Sequence, residues 1–309
     1  MSAEPDHRRL LAAISAEERN RLLEQSDLPA LNRIALHLGA IGLLSLWIAS
    51  GWPGWWLALI PQGILLVFLF TAMHECTHKT AFRSDGLNQV VCWISGLILF
   101  LPPNWFRYFH LAHHRYTHDP DHDPELATPK PHDWTTYLIY LSGVPVWKNL
   151  FRAILSNAAG RNADSFVPDR ASGRVRIEAQ ALLAFYALVA GASIWLQSMV
   201  LIWVWLVPVL LGQPFLRAFL LAEHSGCPHA ASMLDNTRTT FTARLVRLIS
   251  WNMPYHTEHH VYPAVPFHKL PDLHRRIQAW LVNTEPGYAA FHEKYAAGLR
   301  KSAVTRRRA

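Results

Sequence analysis

The sequence predicts an all-α membrane protein with four transmembrane helices in two hairpins and a cytosolic helical cap. Two long stretches, 34–74 and 179–216, contain no Asp, Glu, Lys or Arg. A helix needs about 20 apolar residues to cross a bilayer, so each stretch can cross twice. Only 17% of the 309 residues are charged, against about 25% in a typical soluble domain. Uncharged runs of this length argue against the alternative, a buried hairpin in a large soluble core.

We expect the four spans at about 32–51, 55–75, 179–197 and 199–222. The turn of the first hairpin is the sequence GWPG at 51–54, and the turn of the second lies near residues 196–198. Glycine and proline favour such turns because they interrupt helices. The chain beyond residue 223 is polar and histidine-rich, and we expect it to form a cap that is helical around 238–260 and 268–282.

The distribution of basic residues predicts the orientation. Lys and Arg are frequent in the N-terminal segment, in the middle segment 79–176 and at the C-terminus, while both hairpin turns are uncharged. The positive-inside rule then places both termini and the middle segment in the cytoplasm. We expect one domain over 1–309, without a signal peptide, that spans a bacterial inner membrane several times.

One apolar segment, 90–103, complicates the number of spans. Its fourteen residues are too few to cross a bilayer easily. We therefore interpret it as a re-entrant or interfacial segment. If it crossed the membrane, the histidines before it and after it would lie on opposite faces.

Cysteine content and net charge exclude two further classes. Cys76, Cys92 and Cys227 are odd in number and far apart, which predicts no disulfide framework and a reducing compartment. The net charge is +7, but no basic motif interleaved with aromatic residues accompanies it, so we expect no nucleic-acid partner.

Eight of the eighteen histidines form three groups. They are His74 and His78; His110, His113 and His114; and His256, His259 and His260. Residues at i, i+3 and i+4 share one face of a helix, so each group directs its imidazoles to one point. Eight imidazoles exceed the four ligands of a tetrahedral zinc. They suit two metal ions, although imidazole alone does not choose between Fe, Zn, Cu and Ni.

The first group also forms a zinc-protease motif, His74-Glu75-x-x-His78. An intramembrane zinc protease needs a third ligand, often an Asp in a later span, and 179–216 contains no Asp or Glu. It also leaves the other two groups unexplained. A metal transporter is a third alternative, but its ligands would be expected along a path inside the membrane.

The three groups, in this order and with a membrane hairpin between the second and the third, resemble the histidine boxes of the membrane fatty acid desaturase and hydroxylase superfamily. The resemblance covers about residues 30–285. It implies a non-haem di-iron oxidoreductase that uses O2 and two external electrons to attack an unactivated C–H bond. We expect a fatty acyl desaturase. The alternative is a hydroxylase or monooxygenase acting on a lipid, alkane, carotenoid or small N-methyl compound.

The resemblance also implies the ligands. The nine imidazoles that it assigns to the two irons are His74, His78, His110, His113, His114, His224, His256, His259 and His260. His224 lies at the cytoplasmic end of the fourth helix, and His229 is the alternative candidate for its role. Some relatives hold a water through an Asn one turn before this histidine, where this chain has Leu220, so Asn252 is the remaining candidate for that role.

Several acidic residues adjoin these imidazoles and could orient their rings. The candidates are Glu75, Glu223, Glu258 and Asp123. His118 and His122 lie in a segment rich in Pro and Asp, which favours a surface loop, and their contribution to a metal site stays open.

A lipid or acyl substrate and an electron donor are the implied partners. The chain has no iron–sulfur, dinucleotide or haem motif, so the electrons come from a separate ferredoxin or cytochrome with its reductase. The basic C-terminal region around Arg275 and Arg276 could dock an acidic donor or face anionic lipid. Trp55-Trp56, Trp93 and the stretch 105–108 either line a substrate route or form an interfacial belt.

Overall fold

The computed structural model describes residues 7–308, with side chains through residue 300. Residues 1–6 and 309, which belong to the single domain and the cytosolic termini predicted above, lie outside the described residues. The described chain forms fifteen α-helices: α1 His7–Ala12, α2 Ala16–Leu22, α3 Asp27–Ser50, α4 Leu59–His78, α5 Asp85–Leu99, α6 Pro103–Tyr116, α7 Trp134–Ser142, α8 Val144–Ala158, α9 Asp169–Trp195, α10 Val207–His224, α11 Met233–Asn236, α12 Arg244–Ile249, α13 His256–Val261, α14 Leu270–Ile277 and α15 Tyr288–Arg308. Two short strands, β1 Thr239–Thr240 and β2 Thr284–Glu285, pair in parallel.

Four helical segments are long and apolar enough to cross a membrane, which confirms the predicted all-α membrane fold. They are Ala16–Ser50, Trp55–His78, Asp169–Trp195 and Ile202–His224. Their outer faces carry exposed apolar side chains such as Leu43, Leu188 and Trp195, which are 71%, 74% and 83% exposed. Large apolar surfaces of this kind are suited to lipid and not to water.

The helices extend beyond the predicted spans at their predicted cytoplasmic ends. The second ends at His78 and the fourth at His224, and α9 begins ten residues before the predicted start at 179. These helices continue past the predicted spans into the polar region, because a charged residue does not by itself end a helix. Because of this extension, histidines of the second and fourth spans lie at the same site.

Both hairpin turns lie where the sequence predicted them. Gly51 and Gly54 adopt left-handed conformations with φ of 65° and 76°, which cost glycine little because it lacks a Cβ. Gln197, with φ of 49°, turns the second hairpin.

Helices α4 and α10 form the central pair of the bundle. Their backbones meet at Gly63 and Gly212, where a Cβ on Gly212 would lie 2.5 Å from the carbonyl carbon of Gly63. Small residues allow this close approach, as they commonly do between membrane helices. Because α4 bears His74 and α10 bears His224, this contact sets the spacing of two elements of the candidate site.

Helices α5 and α6 are bent by 100° relative to each other across Phe100–Pro102. Phe100 ends α5 in a left-handed conformation with φ of 58°, and Pro103 begins α6. The bend brings His110 against His78, with their Nε2 atoms 2.7 Å apart. The first and second histidine groups therefore meet, as the re-entrant interpretation requires.

The expected helices of the cap are wrong in part. The segment 238–260 is not one helix: it contains β1, α12, a turn and the start of α13. Trp251 and Asn252 take positive φ values of 50° and 61°, and Pro254 follows, so the helix cannot continue. The predicted helix 268–282 is shorter, since α14 ends at Ile277.

Candidate metal centre

The nine histidines proposed as ligands lie together at the predicted cytoplasmic end of the central helices. Four helices supply them, with two from α4, three from α6, one from α10 and three from α13. The Cβ of each residue in these pairs and triplets lies on one face of its helix, so the rings converge. All four helices belong to parts of the chain that are far apart in sequence.

Eight of these imidazoles divide into two groups, within each of which the potential ligand atoms lie within 4.8 Å of one another. The first group is His74, His78, His110, His114 and His259. The second is His113, His224 and His260. His256 adjoins the second group, with its Nε2 atom 3.0 Å from Nε2 of His224. The arrangement fits two metal ions with predominantly imidazole ligands.

The nitrogen atoms that face one another support this interpretation. Nε2 of His114 lies 3.1 Å from Nε2 of His259, and Nε2 of His113 lies 3.2 Å from Nε2 of His224. Nε2 of His260 is buried without a hydrogen-bond partner in the described part of the chain. Buried nitrogen atoms normally have hydrogen-bond partners, so convergent imidazole nitrogens of this kind are typical of a metal-binding site. Burial lowers the pKa of His256, His259 and His260 well below the ordinary value for histidine. These rings are therefore neutral at pH 7, the state that binds metal.

Asp123 orients His113 from behind. Its Oδ1 atom accepts a hydrogen bond from His113 Nδ1 at 3.0 Å, so Nε2 is left to face the second group. Asp123 also accepts the backbone N–H groups of His118 and Glu125, at 2.8 Å and 2.9 Å. A carboxylate with these partners holds both the ring and the following loop in place.

Glu75 and Glu223 lie close to two other rings. Glu75 Oε1 is 3.5 Å from His259 Nδ1, and its Oε2 atom accepts from Thr80 Oγ1 at 3.0 Å. Glu223 Oε1 is 3.5 Å from His256 Nδ1. Both carboxylates thus face the outer nitrogen of an imidazole, the position of an orienting group.

The structure places Glu258 and Asn252 in other contacts. Glu258 accepts hydrogen bonds from His274 Nδ1 at 2.5 Å and Thr239 Oγ1 at 2.6 Å, so it joins α13 to α14 and β1. Asn252 Nδ2 donates to the carbonyl of Phe267. Leu220, in the family position of the water-holding Asn, lines the cavity described below.

The expectation of a surface loop is wrong for His118, which is only 6% exposed. Its N–H bond to Asp123 folds the loop back, and its ring lies 5.5 Å from that of His224, between ring centroids. Its Nδ1 atom donates to the carbonyl of Pro228, so the ring supports the α10 end of the site. His122 and His229 are exposed and belong to neither imidazole group.

A cavity of about 560 Å³ opens beside the imidazoles. His74, His110, His113 and His256 form part of its wall. Much of the remaining wall is apolar: Phe70, Leu99, Leu101, Trp105, Phe106, Phe109, Leu150, Leu216, Leu220 and Met253. Of the aromatic stretches considered as a substrate route, 105–108 contributes Trp105 and Phe106, whereas Trp55, Trp56 and Trp93 lie elsewhere.

A charged end of the cavity escaped the sequence analysis. Glu125, Lys130 and Arg217 line it beside Glu223. Lys130 contacts Glu125, and Glu125 Oε2 is 3.4 Å from His113 Nε2. Burial opposes both charges, but their mutual attraction prevails: it raises the pKa of Lys130 and holds the pKa of Glu125 well below the ordinary value. Arg217 had one signal in the sequence, since it is the charged residue at which the uncharged stretch 179–216 ends.

Residues 50–293 match the sequence profile of the fatty acid desaturase family. The chain belongs to the fatty acid desaturase family. This membership agrees with the geometry, because the histidine groups that carry the resemblance are those that converge.

Three relatives illustrate the breadth of the desaturase family around this chain. It is 25% identical to a chloroplastic omega-6 fatty acid desaturase of Arabidopsis thaliana, over 83% of this chain and 61% of the plant protein. It is 25% identical to an sn-1 oleoyl-lipid 12-desaturase of Picosynechococcus sp., over 83% of this chain and 79% of the relative. It is 26% identical to a dihydrorhizobitoxine desaturase of Bradyrhizobium elkanii, over 76% of this chain and 70% of the relative.

Proposed function

We propose that this protein is an O2-dependent oxidoreductase that holds two iron ions and desaturates a fatty acyl chain. One observation carries the proposal: nine imidazoles converge beside a largely apolar cavity, and four of them form part of its wall. Membership of the desaturase family supports oxidation of a C–H bond. The sn-1 oleoyl-lipid and omega-6 fatty acid relatives favour an acyl substrate.

The two imidazole groups supply the ligands in this proposal. The group of five, from α4, α6 and α13, holds one ion, and the group of three, with His256 beside it, holds the other. Asp123, Glu75 and Glu223 fix ring orientations from behind. The bound irons would supply, with O2 and two electrons, the oxidising power that an unactivated methylene requires.

The protein itself contributes position and exclusion of water. Apolar side chains such as Phe70, Phe106 and Leu216 form a wall that binds a hydrocarbon chain next to the imidazoles. A chain held in this way presents one carbon to the metal centre, and placement of this kind accounts for a large part of enzymatic rate enhancement. The charged side chains at one end interrupt the apolar wall, so the hydrocarbon part of a substrate is expected to lie away from them.

The remaining parts of the proposal concern domain organisation and location. We propose one domain, because cap and membrane helices contact directly: the rings of Phe219 and Tyr288 stack at 5.0 Å between centroids, and Arg33 donates to the carbonyl of Leu248 at 2.6 Å. Both termini and the histidines face the cytoplasm of a bacterial inner membrane in this proposal. Reporter tags inserted near Arg83 and Lys130 should label from the same side, and labelling from opposite sides would contradict the orientation.

A ferredoxin or a cytochrome with its reductase is the proposed electron donor. Arg275 and Arg276 lie on α14, whose neighbour α13 bears three of the imidazoles, so a carrier that docks there comes close to the site. Turnover that falls steeply with salt, while the protein stays bound to membranes, supports docking at this basic surface. Salt-independent turnover would contradict it.

Mass analysis of the product tests the reaction. Purified protein reconstituted with iron, an acyl substrate, O2 and a reducing system should yield a product that has lost two hydrogens. A product that has gained one oxygen would instead identify a hydroxylase. The variant His260→Ala is the control, since it lacks one proposed ligand and should give no product.

A further inference from the structure

Among the described residues, one cation at the charged end of the cavity has no hydrogen-bond or ion-pair partner. Four ionisable side chains, Glu125, Glu223, Lys130 and Arg217, line it. Lys130 is paired with Glu125. Arg217 makes no hydrogen bond and no ion pair within 4.0 Å in the described part of the chain, and its Nε atom is buried without a partner.

The surroundings of Arg217 differ from those of other enclosed arginines. Arg238 donates to the carbonyl of Ala222 at 2.6 Å, and Arg33 donates to two carbonyls of the cap. Among the described residues, Arg217 has no such contact, and Glu125 and Glu223 attract it only from beyond ion-pair distance.

A cation in a membrane helix without an ion-pair partner is costly, because no carboxylate in contact with it compensates for the hydration that it loses. Ionisable side chains within membrane helices are for this reason usually functional. Arg217 occupies such a position on α10, and the site that it faces is the cavity beside the metal centre. A ligand that supplies hydrogen-bond acceptors would remove this cost.

We propose that Arg217 binds a carboxylate of the substrate, so that the substrate is a free carboxylic acid and not an esterified acyl chain. This inference rests on the proposed function and specifies its substrate class. The planar guanidinium matches a carboxylate with two parallel hydrogen bonds. The nearby carboxylates of Glu125 and Glu223 repel any anion, and they repel a singly charged carboxylate less than a doubly charged phosphate.

The position of Arg217 also limits the length of the substrate between carboxylate and reacting carbon. Arg217 precedes His224 by seven residues on the same helix, which is about 10 Å along the axis. A carboxylate at Arg217 therefore leaves room for several carbon atoms before the imidazoles. Both a long-chain fatty acid and a shorter acid such as an amino acid carry the required group.

Ligand binding without turnover tests this inference. Iron-loaded full-length protein in detergent, without a reducing system, is titrated with a long-chain fatty acid and with its methyl ester, and in parallel with an α-amino acid and its ester. Binding of the wild type should favour one of the acids over its own ester by about ten- to hundred-fold, since hydrogen bonds to charged groups contribute on that scale. Whichever acid shows the preference identifies the source of the carboxylate.

Variants assign the preference to Arg217. Arg217→Gln should bind acid and ester about equally, and Arg217→Lys should keep part of the preference, because it retains the charge and loses the planar fork. Arg152→Gln, which removes an exposed cation on α8, is the matched control and should behave as the wild type. Gel filtration and iron content confirm that each variant is folded, and if Arg217→Gln does not fold, Arg217→Lys carries the comparison.

Equal binding of acid and ester by the wild type would overturn the inference. A loss in Arg217→Gln that affects both ligands to the same extent would also overturn it. Because these titrations need no oxidation, a bound acid that is never oxidised would contradict the proposed function and leave the carboxylate site in place. Desaturation of an esterified chain, with no binding preference for acids, would support the proposed function and overturn the carboxylate site at Arg217.

Discussion

The contact between Gly63 and Gly212 gives a sharp test of the fold that positions the site. In Gly212→Ala the new Cβ would lie 2.5 Å from the carbonyl carbon of Gly63 and 2.9 Å from Cγ1 of Val67. Carbon atoms in contact are ordinarily about 3.5–4.0 Å apart, so α4 and α10 must separate locally by about 1 Å. Backbone atoms cannot rotate away, so we expect a cost near the upper end of overpacking, about 3 kcal/mol. The better helix propensity of alanine offsets about 1 kcal/mol, which leaves a net loss of about 2 kcal/mol.

Reversible SDS titration of the purified variant measures this loss, with thermal unfolding as a second readout. Gly191→Ala is the matched control, because a Cβ at Gly191 on α9 meets nothing within 4 Å. The control should be neutral or stabilised by up to about 1 kcal/mol. If Gly212→Ala is as stable as Gly191→Ala, the close packing of α4 against α10 is refuted.

Three further predictions concern the site. Asp123→Asn should lower iron affinity about ten- to hundred-fold, measured by competition with a chelator, because it weakens the hydrogen bond that orients an imidazole; unchanged affinity would contradict that role. His260→Ala should lose bound iron, as measured by elemental analysis. His122→Ala, which removes an exposed ring, is the control and should keep its iron. Equal iron content in both variants would contradict the ligand assignment. Lys130→Met should lower the free energy of unfolding by about 1–2 kcal/mol, because it removes the ion-pair partner of Glu125 and the two side chains are 25% and 29% exposed. Glu125→Gln in the same chain should restore most of that loss, and additive losses would refute the pairing.

Local patterns explain why much of the architecture could be predicted from the sequence. Uncharged runs indicate membrane helices by their own length and composition, whatever the rest of the chain contains. The i, i+4 spacing of His74 and His78 places both rings on one helical face whatever surrounds them. Asp123 could be proposed as an orienting residue because it lies close in sequence to the ring that it contacts.

Long-range packing explains what the sequence did not reveal. The division of the imidazoles into groups of five and three depends on how α4, α6, α10 and α13 meet. The break in the predicted helix 238–260 reflects pairing of Thr239 with Thr284, which lie 45 positions apart. The burial of His118 requires the loop to fold back onto Asp123. None of these contacts leaves a periodic signal in a single sequence.

The charged end of the cavity shows the same limit. Lys130 lies in a loop and Arg217 in a membrane helix, so their common position beside the imidazoles is a property of the fold. The sequence marked Arg217 only as a charge near the end of an apolar run. The absence of an ion-pair partner for Arg217 among the described residues, which suggests a carboxylate site, can be recognised only in the folded chain.

Iron content is the measurement that tests the central claim most directly. Protein purified from cells grown with iron should contain close to two irons per chain by elemental analysis, and little zinc. Two irons per chain, lost together in His260→Ala, is the result that we predict. One zinc per chain without iron would contradict a di-iron centre and would return the His74-Glu75-x-x-His78 motif to consideration as a zinc site.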